Sequence, residues 1–455
     1  MNNNQYDIIV VGGGISGAIA AIATARLGSK VLIVEQRACL GGMLTTSGVG
    51  PMMTFHAGEK QVIQGITGEL IDRLVAKGKS PGHIFDTTGY TYSVTPFDAE
   101  AMKFELEKML QEAGGDILFH TMLAEVKTTA DNNIGKIRIC NKAGLSWLKA
   151  KVYIDATGDA DLAYMSGVPT IKGRPGDGLA QPMTMKLRMY NVDIATIKNF
   201  IKENPDEFPR LKGDTSIVDR SERLSIGGFT NILKKARETG EISFQREDVL
   251  FFETNNPGEV IINTSRITGL DSTNPEELSK AEIIGRKQVV ELVSFLKKRI
   301  PGFEHAELAY SGPNIGVRSS RQIVGEYTIT REDVLKATKF EDMVVCNGYP
   351  IDVHSPTGIN ENYTEQGHLG WGEYYSIPYR SLISRKVKNL VTVGRAISGE
   401  FDAQAAFRTS PGAGAIGHAG GVAAHLAVQK NNDFSKVEYA DLRQQLLTQK
   451  AYLND

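Results

Sequence analysis

Cysteine is scarce in this chain. Three in 455 residues, Cys39, Cys140 and Cys346, lie far apart with no CxxC pair. That spacing speaks against thiolate zinc sites and iron–sulfur clusters and supplies no disulfide framework, which points to a reducing, cytoplasmic setting. An excess of charge is also missing. Fifty-one Lys+Arg against 53 Asp+Glu leave a net charge of −2, so no global basic field exists to hold a nucleic-acid backbone. No run reaches the roughly 18 apolar residues of a membrane span. The most membrane-like stretch, 413–428, is rich in Ala and Gly and carries His418, so it reads as a packed helix. The start, MNNNQYDIIVVGGG, has no basic region followed by a cleavable apolar run, so no signal peptide is expected.

What remains is ordinary globular material. With 41% hydrophobic and 23% charged residues, the chain has ample substance for a core, and its length exceeds what one core usually supports. Two joined domains are expected. Residues 6–11 form a short β-branched run that meets a glycine cluster, then a small-residue helix over 15–27 and a second strand over 30–34 ending at Glu35. This is a β-α-β unit. Asp98 predicts a helix cap before 99–113. A strand-rich stretch follows at 117–121, 124–129, 135–140 and 146–154 and predicts an antiparallel meander. Beyond about Gly173 come a probable strand over 183–190 and polar helices over 194–203, 223–238 and 275–299.

Gly12-Gly13-Gly14-Ile15-Ser16-Gly17 fits GxGxxG between a strand and a helix. Gly12 permits the tight turn, Gly14 lets a pyrophosphate reach the backbone, and Gly17 permits close helix–strand packing. The helix N-terminus then offers unpaired N–H groups to phosphate. Glu35 can accept both ribose hydroxyls of an adenosine, and an acid there disfavours a 2′-phosphate. The pattern leaves NAD and FAD open. A second glycine pair, Gly41-Gly42, the strand-end sequence Asp155-Ala156-Thr157-Gly158-Asp159, and Val393-Gly394-Arg395 ahead of the helix-opening 410–415 favour the larger, flavin-bearing dinucleotide.

Through VGGGISGAIAAIATARLG, LGGMLTTSGVGP, GITGELIDRL, TPFDAEAMK, DATGDADLA, GVRSSRQIVGEYTIT, IPYRSLI and VGRAISGEFDAQAAFRTSPGAGAIGHAGG, spanning about residues 6–428, the chain resembles the FAD-dependent oxidoreductase family built on the glutathione-reductase-type FAD fold. The resemblance implies FAD as cofactor and an α/β fold. That fold would join a Rossmann-like parallel sheet and antiparallel β-meander to a second α+β substrate or cap domain. The expected divisions are 1–172 and 378–430 for the FAD-binding parts, 173–377 for the cap, and 431–455 for a closing helix. It further implies that Gly12, Gly14 and Gly17, with Ile15 and Ser16, hold pyrophosphate and that Glu35, with Gln36 and Arg37, holds the adenosine ribose. Gly41, Gly42 and Met43 would lie along the ribityl and flavin, and Val126 would face adenine. Thr157, Gly158, Gly394 and Arg395 would reach the pyrophosphate and ribityl, and Gly414, Ala415 and Ile416 the isoalloxazine. The last helix reads GHAGGVAAH, where related proteins often read closer to GQAAGxAAA.

A second GxGxxG, which a dedicated nicotinamide domain would carry, is not found, so the electron donor or acceptor stays open. Reacting groups must come from outside the cofactor motifs. His354, in the Pro-flanked polar loop 352–358, is the first acid/base candidate and His56 the second. Arg318 and Arg408 are candidates to clamp a substrate carboxylate. No metal site is expected. The expected activity is flavin-mediated hydride transfer on a small organic molecule, with a carboxylate as the candidate class, and with no nucleic-acid or membrane partner. The alternatives are an NAD-dependent dehydrogenase, a flavoprotein acting on a macromolecule such as RNA, and a non-catalytic flavin-bound scaffold.

Overall fold

The computed structural model describes residues 6–359 and 369–453. The first five residues, on which the leader expectation partly rests, lie outside them. Strand β1 (Tyr6–Val11) is followed by helix α1 (Ile15–Arg26) and β2 (Val31–Val34). Helices α2 (Gly65–Ala76) and α3 (Ala99–Glu112) lead to β3 (Asp116–Leu118), the meander β4 (Met122–Thr128), β5 (Ile134–Asn141) and β6 (Gly144–Leu148), and then β7 (Ala150–Asp155). The second part of the chain contributes β8 (Leu187–Tyr190), β9 (Ser225–Gly228), β10 (Val249–Glu253), β11 (Val260–Ile262), the long helix α4 (Pro275–Arg299) and β12 (Glu307–Ser311). Strand β13 (Leu390–Thr392), helix α5 (Ser410–Gln429) and helix α6 (Tyr439–Thr448) complete it.

One sheet runs in the order β13-β7-β1-β2-β3, and every pairing in it is parallel. Its strands are near-continuous runs of Ile and Val because helices cover one face and the meander the other. The first and last thirds of the chain therefore share one layer: β13 docks beside β7, with Tyr153 opposite Leu390. The second sheet runs β9-β10-β11-β8-β12 and is antiparallel throughout. A separate apolar cluster packs it against α4, with Phe251, Phe295 and Phe303 fully buried. This is the mixed α/β architecture expected. Among the described residues no helix is long and apolar enough to cross a membrane.

Three local expectations need correction. The stretch 117–121 does not join the meander; β3 pairs parallel with β2 at the edge of the first sheet, where the crossover helix α3 delivers it. The stretch 146–154 is two strands, not one. β6 closes the meander and β7 enters the parallel sheet. The helix expected over 223–238 begins only at Thr230, because Ser225–Gly228 is the buried strand β9. Gly227-Gly228 is costly in a helix, and a Cβ at Gly228 would strike the Phe208 ring, so this segment fits only as closely packed strand.

Candidate active site

Four loops leave the C-terminal ends of β1, β2, β7 and β13 and line one side of a cavity of about 700 Å³. Ligands of open parallel sheets gather at these strand ends. Gly12 turns with φ +103°, and a Cβ there would strike the Ala156 carbonyl, so only glycine fits beneath the neighbouring loop. Gly14 is the opposite case: a Cβ would meet nothing within 4 Å, since the residue faces the cavity. The Gly41 N–H donates to the Gly13 carbonyl at 2.9 Å, clipping the second glycine pair onto the first. Glu35, 6% exposed, accepts from the Gly13 and Arg37 backbone N–H groups, the latter at 2.8 Å, and its carboxylate is thereby fixed at the cavity wall.

The third and fourth loops are tied together. Arg395 bonds Asp159 at 2.8 Å, with its guanidinium over Gly158. Asp155 holds the turn by accepting from the Thr157 and Ala163 N–H groups at 3.0 and 2.8 Å, and burial pushes its carboxyl up to about 6. At the mouth of α5, Thr409, Ser410 and Ala413 line the cavity. There the Arg408 Nε and Thr409 Oγ1 are buried with no hydrogen-bond partner, and the helix N-terminus points its own unpaired N–H groups the same way. Paired glycines giving bare backbone, an anchored acid and orphaned donors at a helix mouth fit a dinucleotide lying from Glu35 toward Arg408.

The far end of the cavity has different chemistry. Arg318 donates to the Pro182 carbonyl at 2.6 Å and to the Thr184 hydroxyl. Arg408 reaches the Asp352 carboxylate at 3.3 Å, which also accepts from the Tyr349 hydroxyl at 3.2 Å and meets His354 Nε2 at 3.4 Å. Burial alone would raise Asp352, but His354, Arg408 and Arg318 outweigh it and hold the carboxyl well below its usual range. Burial, reinforced by the Arg318 charge, pushes His354 well below the ordinary imidazole range, so it is neutral at neutral pH. With Nε2 turned to Asp352, its Nδ1 is left without a partner. A buried glutamine relay holds this end in place: Gln181 accepts from the His354 N–H and donates to Gln404, which donates to the Arg318 carbonyl.

Most expected site residues thus meet at one cavity: Gly12, Gly14, Ile15, Ser16, Glu35, Gln36, Arg37, Gly41, Gly42, Met43, Thr157, Gly158, Gly394 and Arg395 along one stretch, and Arg318, His354 and Arg408 at the far end. Five cofactor residues stand elsewhere. Gly17, in the first turn of α1, packs against the Gly12 carbonyl, and Val126 sits in the meander while Thr121, Met122 and Leu123 reach the wall. Past its first turn α5 rotates away from the cavity. Gly414 packs on Thr67 and Ile15, Ile416 enters the core, and Ala415 lies in a small crevice with His418. His56 is also off the cavity wall. It bonds Ser93 at 2.8 Å and packs 5.1 Å from the His83 ring, and burial and His83 lower it to about 4. Reading by motif missed Lys186, Thr184 and Asn263 on the cavity wall. The only signal was alternation in 183–190, which marks Thr184 and Lys186 as sharing a face but does not say that this face is a cavity.

A cleft at the ends of a parallel sheet, opening on an arginine- and histidine-bearing chamber, is an arrangement suited to a redox enzyme with a dinucleotide cofactor. The chain belongs to the FAD dependent oxidoreductase family, whose model matches residues 7–446. Its cofactor is FAD. It is 48% identical over 52 residues to a soluble pyridine nucleotide transhydrogenase of Mycobacterium tuberculosis, 11% of either chain. It is 28% identical over 249 residues to the tRNA uridine 5-carboxymethylaminomethyl modification enzyme MnmG 1 of Fusobacterium nucleatum, covering 50% of this chain and 36% of that one. The chain therefore matches about a tenth of the first relative's length and about a third of the second's. Among solved structures, a geranylgeranyl bacteriochlorophyll reductase-like protein of Thermoplasma acidophilum is similar with TM-score 0.47 and 14% identity over 99% of this chain and 84% of that one.

Proposed function

We propose that this enzyme oxidises or reduces a small organic carboxylate, with Arg318 and Arg408 holding the carboxylate and His354 moving a proton at Nδ1. Bound FAD would supply hydride chemistry; the chain's own residues bind, orient and handle protons. The observation that carries the reading is the pairing, at one end of a single cavity, of two guanidiniums with a neutral imidazole whose Nδ1 is unpartnered. Asp352 orients that ring and compensates Arg408. The division at 172/173 and 377/378 belongs to the same proposal; a separate apolar cluster over 183–315 supports a distinct cap, while residues 329–377 pack with the core of the first sheet and weigh against the second boundary. A cytoplasmic setting belongs to the same proposal, and cell fractionation checks it.

Anaerobic mixing of the FAD-loaded protein with a panel of small carboxylates and their uncharged esters tests the reading. Bleaching of the flavin by an acid and not by its ester is expected, with Arg318→Ala slowing it on the order of 100-fold, the scale of losing a buried charge partner. Equal bleaching by esters would sink it. Wild-type turnover in His354→Ala would remove the imidazole from the chemistry. A second reading, an RNA substrate, draws support from the tRNA-modifying relative; RNA that co-purifies with the protein and protects it would favour that reading.

A further inference from the structure

We propose that the far end of the cavity is a two-anion site, in which Arg318 and Lys186 each take one carboxylate of a small dicarboxylate. The inference rests on the reading of this chamber as the substrate end of a flavoenzyme, and it narrows the substrate class.

The run 183–190 is extended, with Thr184 bridged to Gly316 and Leu187 opposite Ser311. Alternation buries Met183, Met185, Leu187 and Met189 on one face and turns Thr184 and Lys186 to the other, where both line the cavity. Residues two apart on one face of a strand stand about 7 Å apart. The Arg318 guanidinium is bonded to the Thr184 hydroxyl, so it sits beside the first of these positions while the Lys186 amine rises from the second. Two cations are thus presented side by side, a few atoms' length apart, to the same space.

Neither is in direct contact with a protein carboxylate, and Asp352 offsets their charge only from beyond ion-pair distance. Among the described residues no carboxylate lies within ion-pair distance of Lys186 or Arg318. The nearby acids are committed elsewhere: Asp352 to Arg408 and His354, and Glu282 to the Ile315 N–H and Arg286. Arg246, behind the wall, adds positive field that Asp248 offsets at 3.5 Å. A monoanion answers one of the two groups, whereas a dianion answers both, its second carboxylate charging the Lys186 amine as it binds.

The field shows on Lys186 itself. Its remaining exposure is to the cavity. Burial first, then Arg318, Arg408 and Arg246, lower its amine to about 7, with Asp352 opposing. The groups facing it are therefore Arg318 from the 313–318 segment, Asp352 and neutral His354 from the 352–358 loop, Arg408 before α5, Glu282 from α4, and Arg246. A carboxylate placed against the amine raises its pKa, so above pH 7 binding must take up a proton, and affinity falls as pH climbs.

Calorimetric titration of the FAD-loaded protein with succinate, and with butyrate as the monoanion of equal length, tests this at pH 8 in Tris and in triethanolamine, two cationic buffers of different ionisation heat. Succinate is expected to bind at least about 10-fold more tightly than butyrate, as when one of two buried groups goes unanswered, taking up close to one proton. Lys186→Met should abolish both the preference and the proton uptake. Lys186→Arg, charged at every pH used, should keep the preference without proton uptake and flatten the pH dependence. Equal affinity for the two acids, no binding of either, or a preference that survives Lys186→Met would overturn the proposal. Visible flavin absorbance in each sample separates the two readings: protein that takes up no FAD contradicts the flavoenzyme assignment, and the same titration on that protein still decides the two-anion site.

Discussion

Gly14 and Gly42 stand back to back, and they fail for different reasons when given a side chain. A Cβ at Gly42 would lie 2.8 Å from Gly14 Cα, at a φ of +57°, so Gly42→Val strains the folded chain itself. At Gly14 the Cβ would enter open cavity. Gly14→Glu is therefore expected to fold with an unchanged thermal midpoint while losing FAD, because charge and bulk then occupy the pyrophosphate path. Co-purified flavin absorbance and a melting curve of flavin-free protein check both halves. Single residues were legible in the sequence where their chemistry is backbone chemistry, as with Gly12, Gly14 and Glu35. Lys186 was not, because a lysine on an alternating strand reads as solvent-facing until the opposite wall is seen.

At the scale of elements, α1 and α5 pack with their backbones in near contact. Cβ atoms at Gly417 and Gly421 would strike the carbonyls of Ser16 and Ala20, and Thr24 Oγ1 donates to the Gly421 carbonyl at 2.9 Å. This closeness aims the mouths of both helices at one cavity. Gly421→Ala forces the helices apart and is expected to cost about 1–3 kcal/mol, the usual range for overpacking, measured by urea unfolding. His418, just past the second turn of α5, is 2% exposed and bonds Gln449 at 2.8 Å, fastening α6 to the pair. Burial lowers it from 6.5 to about 4. The unfolded chain therefore takes up this proton first. The stability contributed is complete above pH 6.5 and is lost as pH falls from 6.5 toward 4, on the order of 3 kcal/mol at most. Urea midpoints should drop over that interval, and less so in His418→Gln. The helix itself was legible from its small-residue pattern, but its rotation was not. The turn holding Gly414, Ala415 and Ile416 faces protein because α2 and α1 occupy that side.

For the whole molecule, the cavity is walled by loops from residues 12–43, 156–161 and 393–410 together with the second sheet, so a bound dinucleotide links distant parts of the chain. FAD at about a thousand times its dissociation constant is expected to add about 4 kcal/mol to unfolding, and ADP, expected to reach only the Glu35 end and so to bind more weakly, to protect less at equal concentration. Thermal shifts with each ligand, and their absence in Gly14→Glu, check this.

The β-α-β unit, the glycine turns, the acid that ends β2, the family and the presence of a final close-packed helix all followed from the order of residues, since each rests on local backbone geometry or on contacts between near neighbours in the chain. Which histidine meets the cavity, which way α5 turns after its first residues, and that Lys186 stands beside Arg318 were decided by tertiary packing. Those relations join side chains from tens to hundreds of positions apart, and a linear pattern carries no information about which face of a strand or helix another segment will cover.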